Sequence, residues 1–104
     1  MYATLRRYDD IEASHKDELT KSVNEILAPR LSKLPGFSGY FLIDTGNGVM
    51  SSIGLFDTST QANESTRVAS EWVRDEKLEN ILQNPPKVTD GEVIVHKTNG
   101  LVKA

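Results

Sequence analysis

Residues 39–44 read Gly-Tyr-Phe-Leu-Ile-Asp and lie between two glycine-containing turns. Successive side chains of a strand point to opposite faces of a sheet, so Phe41 and Ile43 share one face while Tyr40 and Leu42 share the other. Both faces of this predicted strand are therefore apolar, and both need a cover. A chain of 104 residues can cover one face with its own helices. We expect a partner subunit to cover the other face.

Residues 49–56 form the next predicted strand, which is joined to the first through Thr45-Gly46-Asn47-Gly48. Glycine and asparagine suit the positive φ angles of a tight hairpin. Large apolar residues again alternate between the faces, with Met50 and Phe56 on one side and Ile53 on the other. Several such side chains exposed together would form a patch that soluble monomers avoid. The hairpin therefore predicts a homodimer that forms through the sheet face.

Two amphipathic helices are predicted, one on each side of this hairpin in the sequence. Apolar residues within 11–34 recur with the spacing of a one-sided helix. Pro29 has no amide hydrogen for the preceding turn, so we expect a kink or a change of register within residues 25–29. The side-chain oxygens of residues 57–59 can cap a second helix, which we expect to run to about Glu76.

The outer strands complete the predicted topology. Residues 2–8 are rich in strand-forming residues, and residues 92–96 follow a turn-like Asp90-Gly91 pair as a last strand. The order βαββαβ is the ferredoxin-like arrangement of the α+β class, a four-stranded antiparallel sheet with two helices on one face. We expect a single domain over residues 1–97, followed by a short C-terminal tail, residues 98–104.

Charge and cysteine content narrow the classes of function. Twelve basic and fifteen acidic residues give a net charge of -3, so no large positive field attracts nucleic acid or anionic lipid. The chain contains no cysteine and only two histidines, and its carboxylates show no metal-ligand spacing. No basic segment followed by a long apolar run begins the chain. We expect a cytoplasmic protein with no metal site, no nucleic-acid partner and no membrane partner.

Three segments carry a resemblance to a known family: Leu34-Pro35-Gly36-Phe37, Ser51-Ser52-Ile53-Gly54-Leu55-Phe56-Asp57, and Ala69-Ser70-Glu71-Trp72-Val73. With them, residues 1–97 resemble the antibiotic biosynthesis monooxygenases, which are dimeric α+β barrels. The resemblance implies a homodimer whose sheets pack into a barrel, with a small-molecule cavity between each sheet and its helices. It also implies a monooxygenase that needs no cofactor and acts on an aromatic or polyketide-like substrate. Family members differ in reaction, so the resemblance indicates the fold more strongly than the activity.

The haem-degrading branch of this family can be tested on single residues. Those relatives place an asparagine on the first strand, and a tryptophan and a histidine on the second helix. This chain has Trp72, but it has no asparagine within residues 2–8 and no histidine between His15 and His96. Two of the three anchors are missing, which disfavours haem degradation.

Trp72 and Tyr40 are candidate ligand-binding residues. An indole offers a planar ligand a rigid face and one hydrogen-bond donor, although the position of Trp72 also suits ordinary core packing. Tyr40, like Tyr8, can hydrogen-bond a ligand oxygen, but strand tyrosines often pack half-buried or at interfaces. Both interpretations stay open for each of these residues.

His96 and Arg6 are candidates for polarising a ligand oxygen. An imidazole on a strand beside a cavity can transfer protons near neutral pH, while an edge position with ordinary hydrogen bonds is the alternative for His96. Arg6 and Arg7 point to opposite faces, so one of them enters an apolar layer. That residue needs a carboxylate, a ligand anion or a route to solvent, and we expect a structural ion pair.

The leading hypothesis is a homodimeric barrel that binds a small planar organic molecule. Trp72 and Tyr40 would position the ligand, and His96 or Arg6 would polarise an oxygen, while no residue is assigned as catalytic. The competing hypothesis is a non-catalytic ligand-binding or stress-associated barrel with a filled interior. An open cavity beside Trp72 with converging polar groups would favour binding or catalysis, and a packed one would favour a structural role.

Overall fold

The computed structural model describes residues 1–97. Its four strands form one antiparallel sheet in the order β2-β3-β1-β4, and two helical segments cover one face. This arrangement confirms the ferredoxin-like α+β prediction, and the sheet is not closed. The predicted tail, residues 98–104, lies outside the described residues. The elements are β1 (Tyr2–Tyr8), α1 (Lys16–Ser22), α2 (Ala28–Ser32), β2 (Phe37–Gly46), β3 (Val49–Phe56), α3 (Ser59–Asp75) and β4 (Lys87–Glu92).

The inner strands β1 and β3 alternate strictly between a helix-covered face and an open face. On the covered face the side chains are buried, and the intervening ones are more exposed. Small residues on β3 at this face leave room for large ones on β1, because directly opposite residues share a face. The buried positions are Thr4, Arg6 and Tyr8 on β1, and Met50, Ser52, Gly54 and Phe56 on β3.

The other face of the sheet is apolar and uncovered by any described helix. Phe41 is 56% exposed, and Ile43 and Leu5 are each 42% exposed. Phe41 and Leu5 lie on either side of Ile53 in the strand register, so the three form one row across the sheet. The alternation predicted for residues 39–44 is confirmed, since Tyr40 lies on the helix side and packs against the core.

The first helical segment contains a π-helical turn, Val23–Leu27, between α1 and α2. The Ala28 N–H donates to the Val23 carbonyl instead of the usual acceptor one residue closer. Pro29 has no N–H to offer the preceding turn, which explains why regular α-helix is interrupted here. On a regular α-helix, a residue four positions further along lies about 40° further around the helix axis. The wider π-helical turn reduces this offset between the buried residues. The predicted change of register is confirmed, and Leu19, Val23, Leu27 and Leu31 all reach the core.

The helix α3 begins with a complete capping box. The Thr58 hydroxyl accepts a hydrogen bond from the Gln61 N–H, and the Gln61 side chain accepts one from the Thr58 N–H, both at 3.2 Å. These bonds satisfy donors that a helix start leaves free. The helix ends at Asp75, and a separate turn then buries three side chains, Leu78, Ile81 and Leu82.

The last strand lies earlier in the chain than the sequence predicted. It spans Lys87–Glu92, so the prediction of a strand at residues 92–96 was wrong. Asp90 and Gly91, predicted as a turn, are strand residues that pair with Thr4 and Ala3 of β1. All six residues of β4 are exposed, so backbone pairing with β1, and not side-chain burial, decides where this edge strand lies.

Candidate functional site

An open pocket of about 290 Å³ lies between β1, α3 and residues 79–86. This volume is close to the lower end for small-molecule sites, which is about 300 Å³. The pocket lies on the helix-covered side of the sheet, where the resemblance implied a cavity. Each of these three parts of the chain contributes side chains to the lining: Arg6 and Tyr8 from β1, Thr66 and Val73 from α3, and Leu82 and Pro86 from residues 79–86.

Arg6 is the only cationic side chain that lines this pocket within the described chain, and it is 1% exposed. Its Nη1 donates to the Thr66 Oγ1 at 3.4 Å. Its Nε and Nη2 are shielded from water and have no hydrogen-bond partner among residues 1–97. A buried cation without an anion costs several kcal/mol. Arg6 is therefore the group of this pocket that most needs a ligand.

The prediction of a structural ion pair for the inward-facing arginine was wrong. Arg7, which faces out, forms such a pair with Asp9 at 2.8 Å, whereas Arg6 forms none with a described carboxylate. The acidic residues of the adjacent helix explain this difference. Glu64 and Glu71 lie on the outer side of α3, and both bind Arg67 there.

Tyr8 lies two residues after Arg6 and shares its face of β1. Burial raises the pKa of the Tyr8 hydroxyl, and the positive charge of Arg6 and a polar contact with the Arg6 side chain oppose that rise. The phenol therefore stays protonated at neutral pH, so it can donate a hydrogen bond but cannot neutralise Arg6. Tyr8 also borders the packed core, so it stands between the pocket and the interior.

Trp72 packs in the core and does not line the pocket. Its side chain is 1% exposed, and its Nε1–H donates to the Ser22 Oγ at 3.0 Å. The gap beside the indole has a volume of about 10 Å³, which is at most the space of one water molecule. The cavity that would have favoured a ligand role for Trp72 is thus packed, in agreement with the core-packing interpretation.

Tyr40 is half-buried on the helix side of β2 and borders the same small gap as Trp72. Burial raises the pKa of its hydroxyl, and the neighbouring Ser52 hydroxyl and the charge of Arg6 oppose that rise. The buried Ser52 Oγ forms no hydrogen bond of ordinary geometry with a described residue. Tyr40 also lines a wide groove beside α1, away from the Arg6 pocket.

His96 follows the last strand and is exposed, so it is not the strand residue beside a cavity that the sequence suggested. It does not line the Arg6 pocket. Of the four predicted site residues, the structure brings only Arg6 to that pocket.

The residues that sequence reasoning missed are those of the wall opposite β1. Pro85 and Pro86 were interpreted as the end of helical structure, and they also line the pocket. The two prolines indicate where helical structure ends, but no pattern in a single sequence predicts that this segment lies over β1. Thr66 lies on α3 between Ser65 and Arg67, so its polar side chain carried no distinctive signal in the sequence.

Two further features concern only residues 1–97. No cluster of three or more histidine, cysteine or acidic side chains there has a geometry that could hold a metal ion. No helix in that range combines the length and the apolar character that crossing a bilayer requires.

Comparisons with known proteins agree on the fold. No protein-family model matches the chain, and neither does any curated protein. Solved structures do match: a protein of unknown function from Nitrosomonas europaea has a TM-score of 0.75 at 14% identity, over 94% of this chain and 93% of that one. A monooxygenase of Streptomyces coelicolor, solved in complex with the ligand nanaomycin D, has a TM-score of 0.71 at 14% identity, over 94% and 91%.

A third match is a dimeric ferredoxin-like protein from an uncultured marine organism, with a TM-score of 0.69 at 16% identity over 94% and 91% of the two chains. Other matching structures carry the family name that the sequence suggested. Identities this low show the fold alone. The fold of this chain is that of the antibiotic biosynthesis monooxygenases.

Proposed function

We propose that this chain, with residues 1–97 as its single domain, is a homodimer that binds a small organic molecule in the pocket beside Arg6. The observation that carries the proposal is the buried Arg6 guanidinium, which lines an open pocket while two of its nitrogens lack partners. Protein interiors rarely keep such groups unpaired without a functional reason.

The open face of the sheet supports the homodimer. Phe41, Ile43 and Leu5 are large apolar side chains with 42–56% of their surface exposed, and they lie next to Ile53 and Leu55 on the same face. Packing a second copy against this face would remove the patch from water at about 25 cal/mol per Å² of apolar surface. A solved protein of the same fold is described as dimeric.

Oxygenase activity is the reaction that the fold suggests for this pocket. A phenol with a free para carbon can react with one O₂ to give a quinone and one water, and the substrate itself supplies the electrons. The protein then has to bind the substrate, orient it and stabilise its phenolate oxygen. A buried guanidinium can hold an anionic group of such a substrate, and this contact fixes the orientation of the ring. We therefore propose a cofactor-independent monooxygenase that acts on an aromatic or polyketide-like substrate.

Oxygen uptake tests this activity directly. We expect the protein to consume O₂ with at least one member of a panel of phenols and naphthols whose para carbon is free, in proportion to enzyme concentration. Arg6→Met should lower the rate strongly, and Arg7→Met, on the opposite face of the same strand, should leave it nearly unchanged. Uptake no greater than in buffer with every substrate would count against the oxygenase.

A non-catalytic binder is the second candidate, and one observation favours it. The gap of about 10 Å³ beside Trp72 leaves no room for a ring next to the indole, so a ligand is confined to the pocket beside Arg6 and no residue there is assigned as catalytic. A protein of this class would bind the same phenols or naphthols saturably in calorimetry and would show no turnover. Saturable binding together with enzyme-dependent uptake of O₂ would exclude it.

A further inference from the structure

We infer that the ligand of this pocket carries a carboxylate, and that Arg6 binds it through the Nε and Nη2 edge of its guanidinium. The inference rests on the proposed function, since it names the chemical class of the ligand at the same site. It follows from the geometry of the unpartnered atoms, from a second unpartnered polar atom on the neighbouring strand and from the apolar lining of the remaining pocket.

The unpartnered atoms of Arg6 are the two that form one edge of the guanidinium plane. The third nitrogen, Nη1, already donates a hydrogen bond to the Thr66 hydroxyl. Nε and Nη2 donate to no residue of 1–97. One N–H of each points in nearly parallel directions, which matches the spacing of two carboxylate oxygens. A neutral carbonyl offers these two donors a single oxygen and would leave the charge of Arg6 unbalanced.

A second unpartnered polar atom comes from the neighbouring strand β3. Ser52 is directly opposite Arg6 in the register of β1 and β3, and both side chains face the helices. Its Oγ is buried and has no partner in the described part of the chain. Three buried polar atoms without partners therefore come from two neighbouring residues of one sheet face. A carboxylate accepts several hydrogen bonds, so it can satisfy the guanidinium edge and a hydroxyl together.

The charges around the pocket favour a monoanion. Arg6 contributes one positive charge, and Glu79, the acidic residue of the lining, is exposed. A single carboxylate neutralises Arg6, whereas a dianion would bring an unbalanced negative charge toward Glu79. The other side of the lining is apolar, with Ala69, Val73 and Leu82 in contact with the pocket. These residues suit the hydrocarbon or aromatic body of an organic acid better than inorganic phosphate.

The inner wall of the pocket must move for this contact to form. The Nε and Nη2 atoms are shielded from water, and Tyr8 and Leu82 both border the pocket on one side and the packed core on the other. A rotamer change of either side chain is a small motion that occurs within nanoseconds at exposed sites and more slowly inside. The proposed complex therefore requires Tyr8 or Leu82 to change rotamer when the ligand binds.

Matched pairs of acids and amides test the inference by isothermal titration calorimetry at pH 7. The probes are phenylacetate with phenylacetamide, and 1-naphthoate with 1-naphthamide, because the members of each pair differ little in shape and differ in charge. We expect at least one acid to bind ten or more times as tightly as its amide. Arg6→Met should abolish that preference, and Arg7→Met should retain it. Ser52→Ala should weaken the acid by roughly three- to tenfold, the value of one hydrogen bond.

Four results would overturn the inference, and each has its own meaning. Equal affinity for acid and amide would show that the pocket does not select a carboxylate, although it would still bind small molecules. A preference for acids that survives in Arg6→Met, with the variant's near-ultraviolet spectrum showing a native fold, would place the anion elsewhere. Inorganic phosphate that binds more tightly than every acid would change the ligand class. Failure of all acids and all amides would contradict both the inference and the proposed binding function.

Discussion

Trp72 donates its indole N–H to the Ser22 hydroxyl across 3.0 Å, and this bond joins the last turn of α3 to the end of α1. The indole is buried, and a buried donor without an acceptor loses its hydration without compensation. The bond explains why a serine is accepted at the interface of two otherwise apolar helix faces. It also indicates that the tryptophan contributes to the fold more than to ligand binding.

Removal of this acceptor should destabilise the protein measurably. We expect Ser22→Ala to lower the free energy of unfolding by about 1–3 kcal/mol, because the indole N–H is then left unpaired. Urea denaturation followed by circular dichroism measures the change. Ser70→Ala, at an exposed position of α3, is the control and should stay within about 0.5 kcal/mol of the parent protein. Equal effects of the two substitutions would show that the bond contributes nothing.

A charge on the open face of the sheet should dissociate the proposed dimer. The parent protein is expected to sediment at twice the chain mass at micromolar concentration, and Phe41→Asp at the mass of one chain, since a carboxylate cannot be buried unpaired between two sheets. Val88 serves as the control, because it is similarly exposed but lies opposite Arg6 and hence on the helix side. Val88→Asp should leave the dimer intact. A parent protein that sediments as a monomer contradicts the prediction.

Replacement of Arg6 by an apolar residue should stabilise the folded protein in the absence of ligand. Arg6→Met removes a buried charge that has no anionic partner and fills similar space, so the free energy of unfolding should rise by ~1–4 kcal/mol. Thermal and urea denaturation measure it. Arg7→Met removes only the exposed pair with Asp9 and should change stability by less than about 1 kcal/mol. A large loss of stability in Arg6→Met would instead show that Arg6 holds the fold together.

Acid titration should reveal the depressed pKa of Asp44. The Gly46 N–H donates to one carboxylate oxygen at 2.9 Å, and Lys16 Nζ lies 3.0 Å from the other; both lower the pKa of this carboxyl group. The folded pKa lies below the unfolded one, so the resulting stabilisation is complete above about pH 4 and is lost as the pH falls through the folded pKa.

Nuclear magnetic resonance titration of the Asp44 carboxyl group checks this direction. Lys16→Met should raise the pKa of Asp44 only partway toward its ordinary value, because the hydrogen bond from the backbone remains. Stability should also depend less on pH below pH 4 in Asp44→Asn than in the parent protein. Identical acid limbs for the two proteins would contradict the prediction.

Local pattern was sufficient for most of the fold. The bounds of β1 and β3 match the predicted residues 2–8 and 49–56, because their alternation places large side chains on two well-separated faces. The register change near Pro29 was also predictable, since a missing amide hydrogen acts within one turn. These features depend on neighbours in the sequence, which a single chain displays directly.

Features that depend on distant partners were not predictable in the same way. The strand β4 has no buried side chain, so its position depends on the edge that β1 offers, and the β-branched run at residues 93–95 misled the prediction. The sequence showed that either Arg6 or Arg7 must face inward, but the choice depends on the register of the whole sheet. The absence of a described carboxylate near Arg6 follows from the orientation of α3, which brings its acids to Arg67 on the outside.

The volume of the Arg6 pocket depends on the side chains of Tyr8 and Leu82, which separate it from the gap beside Trp72. Leu82 belongs to no helix or strand. Among residues 79–86 it is the one that lines both the Arg6 pocket and the small gap beside Trp72. A smaller side chain at this single position would merge the two volumes and lengthen the chamber toward Trp72. The range of ligands that the pocket accepts can therefore change through one loop substitution, while the sheet and its helices stay as they are.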